Sequence, residues 1–204
     1  MVLVVGLDSG ATKSVCAIAD EAGRVLGVGS SGGGNYHVVG VKAARDNVLE
    51  AVEEARAQAR IEETFDVGCF GMGGLDSKHD YETISGFLRP LNLARRYVIV
   101  NDVVIAYHAV TAGERPGAVV VGGTGSIAYG MNEMGDEARS GGWGWIMGDE
   151  GSALDISRRA LMAAAKAYDG RGPGTVLVEL FERHFGVDRY EDVIPLIYTR
   201  GVGP

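Results

Sequence analysis

The chain has 204 residues, of which 46% are hydrophobic and 23% charged, a balance typical of a globular protein with one large or two small domains. Its net charge of −8 argues against a general nucleic-acid binder, which would carry a basic face. Two cysteines in apolar stretches, an apolar start too short for a membrane span and no secretory signal predict a cytoplasmic protein without disulfides or membrane attachment.

Strands and helices alternate in the first half of the chain. Three apolar runs separated by short turns predict three consecutive antiparallel strands. Apolar residues then recur every three or four positions, which predicts an amphipathic helix. The predicted elements are strands at 2–7, 13–20 and 24–29, a helix at 41–60, a strand at 65–70, a helix at 81–88, a strand at 97–100 and a helix at 103–112. We therefore expect a βββαβαβα lobe over residues 1–113.

The same order of elements restarts after a hinge-like breaker at residues 114–117, which contains Pro116 and Gly117. The predicted elements are strands at 118–122, 126–131 and 137–141, a long helix at 149–168 and shorter helices at 176–185 and 190–199. This second series has fewer members than the first. We therefore expect a partial C-terminal lobe over residues 114–204.

A glycine-rich turn at residues 6–14 follows the first predicted strand. Glycine has no Cβ, so the backbone N–H groups near Gly10 and the Thr12 hydroxyl could approach a phosphate closely. The turn is not a Walker A loop, because the required Gly-Lys pair is missing. Asp8 is a candidate to hold Mg²⁺ through water, since Mg²⁺ takes only one or two carboxylates. Lys13 either contacts phosphate or is solvated, and a plain polar hairpin is the alternative for the whole turn.

A second glycine-rich turn, Gly123-Thr124-Gly125, follows another apolar run. It fits the dinucleotide pattern G-x-G-x-x-A, which would indicate an oxidoreductase. That fingerprint needs a helix immediately afterwards, whereas the residues from Ser126 onward continue as a strand. A phosphate-binding hairpin is therefore the better interpretation. Two such turns, one in each half of the chain, predict a clamp that holds ATP from both sides.

Asp102 stands between a predicted strand and a predicted helix. One interpretation is a simple helix N-cap, which needs no chemistry. The other is a carboxylate that accepts the proton of an attacking hydroxyl as its oxygen bonds to the γ-phosphate of ATP. The two roles are compatible if Asn101 or the backbone provides the cap.

Four segments together resemble the BadF/BadG/BcrA/BcrD ATPase family, which includes the N-acetylglucosamine kinases. They lie at 8–13, 101–102, 122–126 and 141–152, and the last, with Gly-Gly-Trp-Gly and Gly-Asp-Glu-Gly-Ser, is the most specific. The resemblance implies a ribonuclease H-like, duplicated α/β fold of the actin/hexokinase/Hsp70 type. In that fold two lobes surround a cleft, and the second lobe would be incomplete here.

The resemblance also implies the residues of a sugar site. It places the family's catalytic aspartate at Asp102 and a sugar-binding amide at Asn35, which can donate to and accept from hydroxyl groups. Further sugar-contacting residues would be Gly142, Trp143, Gly144, Asp149 and Glu150. Each has a plainer alternative: an ordinary loop amide, a tryptophan packed between lobes, or carboxylates that stabilise a helix N-terminus.

The sequence therefore predicts a kinase that uses ATP and Mg²⁺ to phosphorylate an amino sugar or hexose, with Asp102 as base. Its partner would be a small-molecule sugar, and a homodimer is a further expectation. One alternative is a regulatory ATPase that acts on a partner protein, and another is a sugar-binding remnant without catalysis. The iron–sulfur dehydratase activators of the same family are disfavoured, because this chain has no cysteine beyond Cys69 to hold a cluster.

Overall fold

The structure, a computed structural model, describes residues Met1–Thr199. These residues form two compact units. Unit 1 comprises Met1–Val121 and Ile127–Ser140, and unit 2 comprises Gly122–Ser126 and the described residues from Gly141 onward. The lobe boundary expected between residues 113 and 114 stays a prediction, and residues 200–204 of the expected second lobe lie outside the described part of the chain.

A five-stranded mixed sheet forms the centre of unit 1. Its strands are β1 (Leu3–Ser9), β2 (Lys13–Asp20), β3 (Val25–Gly32), β4 (Phe65–Met72) and β5 (Ala94–Asn101), in the spatial order β3-β2-β1-β4-β5. Strand β2 runs antiparallel to both β1 and β3, as the short connections require. Strands β4 and β5 run parallel to β1, so the carboxyl ends of β1, β4 and β5 meet at one edge of the sheet.

Four helices complete the first part of unit 1. They are α1 (Tyr36–Val39), α2 (Val41–Ala59), α3 (Lys78–Leu88) and α4 (Asp102–Thr111). Helix α2 packs very closely on β3, because two glycines of the strand leave room for its backbone. A Cβ on Gly29 would lie 2.1 Å from the Ala51 carbonyl oxygen, and one on Gly27 would lie 2.2 Å from that of Ala55. The buried core between sheet and helices includes Phe65, Phe70, Val48, Val52 and Ile84.

A smaller sheet follows α4. It consists of β6 (Gly117–Gly122), β7 (Ser126–Met131) and β8 (Glu137–Gly141), with β7 in the middle. Tyr107 of α4 packs edge-on against Tyr129 of β7 with ring centroids 5.4 Å apart, and both are buried. The strand at 126–131 is the element that the sequence predicts after the second glycine turn, and it excludes the helix that a dinucleotide fingerprint requires.

Unit 2 is mostly helical. It contains α5 (Gly144–Met147), α6 (Ala153–Tyr168), α7 (Leu177–Phe185) and α8 (Val193–Thr199). Its small core is centred on Ala164, Tyr190 and Val193, and the Tyr190 hydroxyl donates to the Leu161 carbonyl at 2.8 Å. No helix within residues 1–199 is long and apolar enough to cross a membrane.

Two local expectations are wrong. The long helix begins at Ala153 and not at residue 149, because Asp149 has φ 62° and Gly151 has φ 75°, and neither value continues a right-handed helix. Ser152 provides the N-cap and accepts from the Asp155 N–H. The third strand extends to Gly32, past its predicted end at residue 29, and the one-turn helix α1 follows shortly after it.

Candidate active site

The carboxyl edge of the parallel strands brings together several of the predicted site residues in unit 1. Asp8 lies near the end of β1, Gly73 directly follows β4, and Asp102 directly follows β5. A Cβ on Gly73 would lie 3.0 Å from Asp102 Oδ2, and one on Gly10 would lie 4.0 Å from the same oxygen. The Asp102 carboxylate therefore faces the first glycine turn, at the edge of a parallel sheet where ligands commonly bind.

The first glycine turn is tight and is supported by backbone hydrogen bonds. The Gly10 N–H donates to the Lys13 carbonyl at 3.0 Å, and the Gly10 carbonyl accepts from the N–H groups of Gly34 and Asn35. A Cβ on Gly34 would lie 1.9 Å from Ser9 Oγ, so only glycine fits there. Thr12 and Lys13 remain exposed on the turn. Of the predicted phosphate-contacting residues of this turn, Thr12 and Lys13 are thus accessible, whereas the Gly10 N–H is bonded within the turn.

Asp102 combines partial burial with nearby negative charge. Burial raises the pKa of its carboxyl to about 6, and the charge of Asp8 and, less strongly, that of Asp76 act in the same direction. The Val103 N–H partly opposes the rise. A carboxyl with this pKa is ionised at neutral pH and is a stronger base than an ordinary aspartate.

Asn101, and not Asp102, caps helix α4. Asn101 Oδ1 accepts from the Val103 N–H at 3.0 Å, while Asp102 is the first residue of the helix. Asn101 is therefore the cap that the sequence left open, and the role of Asp102 as base stays a prediction. The Asp102 carboxylate is not required for the side-chain cap.

Asp8 and Asp102 fit a hydrated Mg²⁺. Loss of solvent raises the pKa of Asp8, and the Lys13 ammonium partly offsets this rise. The mutual repulsion of the two carboxylates would be relieved by a divalent cation. Within residues 1–199 no group of three or more His, Cys, Asp or Glu side chains could hold a metal ion. Mg²⁺ takes one or two carboxylates and otherwise keeps its water, so this small donor set suits it.

Asn35 lies directly beside the first glycine turn. Its backbone N–H donates to the Gly10 carbonyl at 3.1 Å, and its Oδ1 accepts from the His37 N–H at 3.0 Å as the N-cap of α1. A Cβ on Gly74 would lie 2.6 Å from Asn35 Oδ1. Asn35 is thus fixed between the turn and the loop that follows β4, in the same unit as Asp102.

The second glycine turn belongs to unit 2 and is supported by a carboxylate. Asp149 is 9% exposed, and its Oδ1 accepts from the Ser126 N–H at 3.0 Å. A Cβ on Gly125 would lie 2.9 Å from both carboxylate oxygens. The Gly123 carbonyl accepts from the Ala153 N–H at 2.9 Å, which joins the turn to the start of α6. Asp149 therefore has a structural partner inside unit 2, and its predicted sugar contact stays a prediction.

Two further predicted residues of unit 2, Gly142 and Glu150, contact the same turn through their backbone. The Gly142 N–H donates to the Ser126 carbonyl at 2.9 Å, and the Glu150 carbonyl accepts from Ser126 Oγ at 2.9 Å. Gly142 and Gly144 have φ values of 70° and 77°, which favour glycine. The Trp143 side chain is exposed. Unit 2 contains Gly123, Thr124, Gly125, Gly142, Trp143, Gly144, Asp149 and Glu150, and unit 1 contains Asp8, Gly10, Thr12, Lys13, Asn35 and Asp102.

Sequence reasoning missed a polar cluster beside Asn35 and Asp102. Its members are Tyr36, His37, Asp76, Ser77, Asp80 and Arg139. The pattern Ser-x-x-Asp at Ser77 and Asp80 is a helix-start signature that could have located part of it. Its other members come from distant positions and meet only through the fold.

Comparison with known proteins gives a consistent result. The chain is 35% identical over 204 residues to the N-acetylmuramic acid/N-acetylglucosamine kinase of Clostridium acetobutylicum, covering 99% of this chain and 66% of that protein. It is 32% identical over 205 residues to the N-acetyl-D-glucosamine kinase of Dictyostelium discoideum, covering 96% of this chain and 64% of that protein. The chain therefore spans slightly less than two thirds of the length of these relatives.

A solved structure from Chromobacterium violaceum, provisionally named an N-acetylglucosamine kinase, superposes with a TM-score of 0.78 at 24% identity, over 92% of this chain and 65% of that one. The expected α/β fold of the actin/hexokinase type is confirmed. The match to the sequence family extends over residues 5–198, nearly the whole chain. The protein belongs to the BadF/BadG/BcrA/BcrD ATPase family.

Proposed function

We propose that this chain provides the site of an ATP-dependent kinase that phosphorylates an amino sugar of the N-acetylglucosamine or glucosamine class. The family match and the kinase names of the curated relatives support this proposal. The observation that carries it is the position of Asp102: a partly buried carboxylate, with a pKa raised to about 6, facing the first glycine turn.

Asp102 is proposed as the base. It would accept the proton of a sugar hydroxyl while that oxygen bonds to the γ-phosphorus and the bond from phosphorus to the β-phosphate oxygen breaks, so that ADP leaves with the electron pair. Phosphoryl transfer needs little from the protein beyond positioning, an orienting carboxylate and charge neutralisation. The raised pKa suits the step, because a base works best when its pKa lies near the working pH.

The first glycine turn is proposed to hold the phosphates of ATP. Its backbone N–H groups near Gly10, the Thr12 hydroxyl and the Lys13 ammonium supply donors and positive charge. Asp8 would hold Mg²⁺ through water, and Mg²⁺, when bound, neutralises charge on phosphate oxygens. From unit 2, the turn at Gly123-Thr124-Gly125 is proposed as a further ATP contact.

The sugar is proposed to contact Asn35, whose amide lies in the same unit as the base. Gly142, Trp143, Gly144, Asp149 and Glu150 are proposed as additional sugar contacts, on the strength of the family motif. A cytoplasmic location and a homodimer remain part of the proposal. Light scattering after size-exclusion chromatography would test the dimer.

The test is ADP release measured with a panel of hexoses and amino sugars, for the wild type and for Asp102→Asn. We expect release that depends on an amino sugar, and we expect kcat to fall about 10²–10⁴-fold in the variant while ATP still binds. Asp46→Asn is the matched control, because this aspartate pairs with Lys42 at 2.7 Å and with Arg45 on the surface of α2. Near-normal turnover in Asp102→Asn would contradict the role of base.

The same assay separates the alternatives. ADP release that does not depend on any sugar would favour a regulatory ATPase acting on a partner protein. A chain that binds sugar but not ATP would favour a remnant without catalysis. Either result would contradict the proposed kinase.

A further inference from the structure

The segment that carries Asn35 is tied to a buried carboxylate, Asp80, near the start of α3. Asp80 is only 5% exposed. Its Oδ1 accepts from the Tyr36 hydroxyl at 2.5 Å and lies 3.0 Å from His37 Nε2. Both aromatic residues directly follow Asn35 in the chain, so Asp80 fixes the one-turn helix that Asn35 caps.

The other oxygen of the same carboxylate holds the loop that follows β4. Asp80 Oδ2 accepts from the Ser77 hydroxyl at 2.7 Å and from the Asp76 N–H at 3.1 Å. One buried group thus joins two segments that are far apart in the sequence, since Tyr36 and Asp80 are separated by 44 residues. Buried polar networks of this kind rigidify a structure when all members are satisfied.

The loop continues to the residue beside the proposed base. Asp76 Oδ1 accepts from Asn101 Nδ2 at 3.2 Å and forms an ion pair with Arg139. Asn101 Nδ2 also donates to the Leu75 carbonyl at 3.2 Å, while its Oδ1 caps α4. A continuous series of hydrogen bonds therefore runs from the Asn35 segment through Asp80 to the residue that precedes Asp102.

Close packing makes this connection stiff. A Cβ on Gly74 would lie 2.6 Å from Asn35 Oδ1 and 2.9 Å from His37 Cδ2. The loop thus touches the Asn35 segment directly, and no side chain fits between them. A change in the hydrogen bonds of Asp80 must shift one of the two segments relative to the other.

We propose that Asp80 is a positioning residue of the acceptor site, which sets the place of Asn35 relative to Asp102. This inference rests on the proposed function, because it assumes that Asn35 contacts the acceptor sugar. Asp80 would not touch the sugar itself. It acts by holding the side of the site where the acceptor binds, and its carboxylate is bonded to the Asn35 segment and the loop after β4 rather than directly to the phosphate-binding turn.

The charge of Asp80 suits a fixed structural role. Burial opposes ionisation, but the hydrogen bonds from Tyr36, Ser77 and the Asp76 N–H outweigh it and hold the pKa of Asp80 well below its usual range. The group stays ionised at every pH at which the protein would work. An asparagine has one acceptor oxygen and brings two donors, so it cannot accept the same set of hydrogen bonds.

The test compares Asp80→Asn with the matched control Asp20→Asn. Asp20 is also a buried carboxylate of unit 1, 3% exposed, and it accepts from the Ala22 and Arg24 N–H groups at the opposite edge of the sheet. We expect the KM for N-acetylglucosamine to rise about 10–100-fold in Asp80→Asn, because a displaced Asn35 amide would leave a hydroxyl of the bound sugar without its hydrogen-bond partner. The KM for ATP should change by less than about twofold, and Asp20→Asn should leave both constants near wild type.

Amide hydrogen exchange provides a readout that does not depend on activity. In Asp80→Asn the His37 amide, which is bonded to Asn35 Oδ1, should exchange faster, while the amides of β4 stay protected. If Asp80→Asn unfolds, Tyr36→Phe removes a single donor to the same carboxylate and should still raise the sugar KM selectively.

The outcomes separate this inference from the proposed function. A wild-type protein that neither binds nor phosphorylates any amino sugar contradicts the proposed function, and the acceptor role of Asp80 fails with it. An active wild type whose sugar KM is unchanged in Asp80→Asn and Tyr36→Phe contradicts only the positioning role. An equal rise of the sugar and ATP constants would show a general structural role and would also overturn it.

Discussion

The two glycine turns of this protein look alike in sequence but are supported by different interactions. The turn around Gly10 rests on backbone, with Gly34 so close to Ser9 that a Cβ would lie 1.9 Å from its hydroxyl oxygen. The turn around Gly125 rests on the buried carboxylate of Asp149, which accepts from the Ser126 N–H. The first support combines backbone hydrogen bonds with close packing, and the second is a buried charged side chain.

The two carboxylates beside these turns also differ in their surroundings. Asp149 is hydrogen-bonded and helps to hold its turn, whereas Asp102 faces its turn in an environment that disfavours its charge. A buried carboxylate that accepts hydrogen bonds stabilises a fold, whereas a buried carboxylate that lies near other carboxylates destabilises it. A group that costs stability and is nevertheless present at a ligand-binding edge is a candidate for chemistry. Three substitutions test this contrast.

The largest effect is expected for Gly34→Ala. The added methyl group cannot fit beside Ser9, so either the turn or the ends of the adjacent strands must move. We expect the free energy of unfolding to fall by about 3 kcal/mol. Urea denaturation measures this loss. Gly86→Ala, an exposed position in helix α3 where a Cβ meets nothing within 4 Å, is the control and should be neutral or slightly stabilising. Equal stability of the two variants would show that the first turn does not depend on close packing.

A smaller loss is expected for Asp149→Asn. The change removes a charged acceptor from the Ser126 N–H and should cost about 2 kcal/mol. Asparagine tolerates the left-handed conformation of this position, φ 62°, so backbone strain does not contribute to the measured loss of stability. The measurement is hydrogen exchange at the Ser126 amide, with Glu150→Gln as a neighbouring control. Unchanged protection would mean that the carboxylate is not the support of the second turn.

The smallest effect, and one of opposite sign, is expected for Asp102→Asn. Folding raises the pKa of Asp102 to about 6, so the folded protein is penalised where the group is charged. The penalty is complete above this pKa and vanishes below the pKa of an unfolded aspartate. The variant should therefore be more stable than wild type by roughly 1–2 kcal/mol near pH 8 and about equal near pH 4.

Urea titrations at both pH values measure the difference, and Asp20→Asn is the contrasting variant. Hydrogen bonds from Arg24 lower the pKa of Asp20, so its replacement should destabilise at neutral pH. A destabilised Asp102→Asn near pH 8 would show that Asp102 supports the fold and would weaken its proposed role as base.

Local sequence patterns were sufficient for most of the first sheet, whereas the choice of Asp102 as candidate base also needed the family resemblance. The alternation of Val15, Ala17 and Ala19 marks β2, and the three-to-four spacing marks α2. Asp8 and Asp102 could be singled out because each comes at or just after the end of a buried strand, and parallel strands place such positions at one edge.

Other features were out of reach because they are not local. Four residues are too few to show a helical period, so α1 at Tyr36–Val39 gave no pattern. The acidic start expected at residue 149 failed because the left-handed Asp149 and Gly151 delay α6 until Ala153. The link from Tyr36 to Asp80 depends on how β4 and its following loop pack, which no window of sequence contains.

The separation of tasks between Asn101 and Asp102 has a practical consequence. Since the amide holds the start of α4, the neighbouring carboxylate can be replaced without unravelling the helix. Under the proposed function, an Asp102→Asn protein should then be intact but slowed about 10²–10⁴-fold, and so suited to trapping nucleotide and acceptor together in a crystal. Because the cap and the carboxylate belong to adjacent residues at this strand–helix junction, a stalled complex of protein, nucleotide and acceptor would be accessible to experiment.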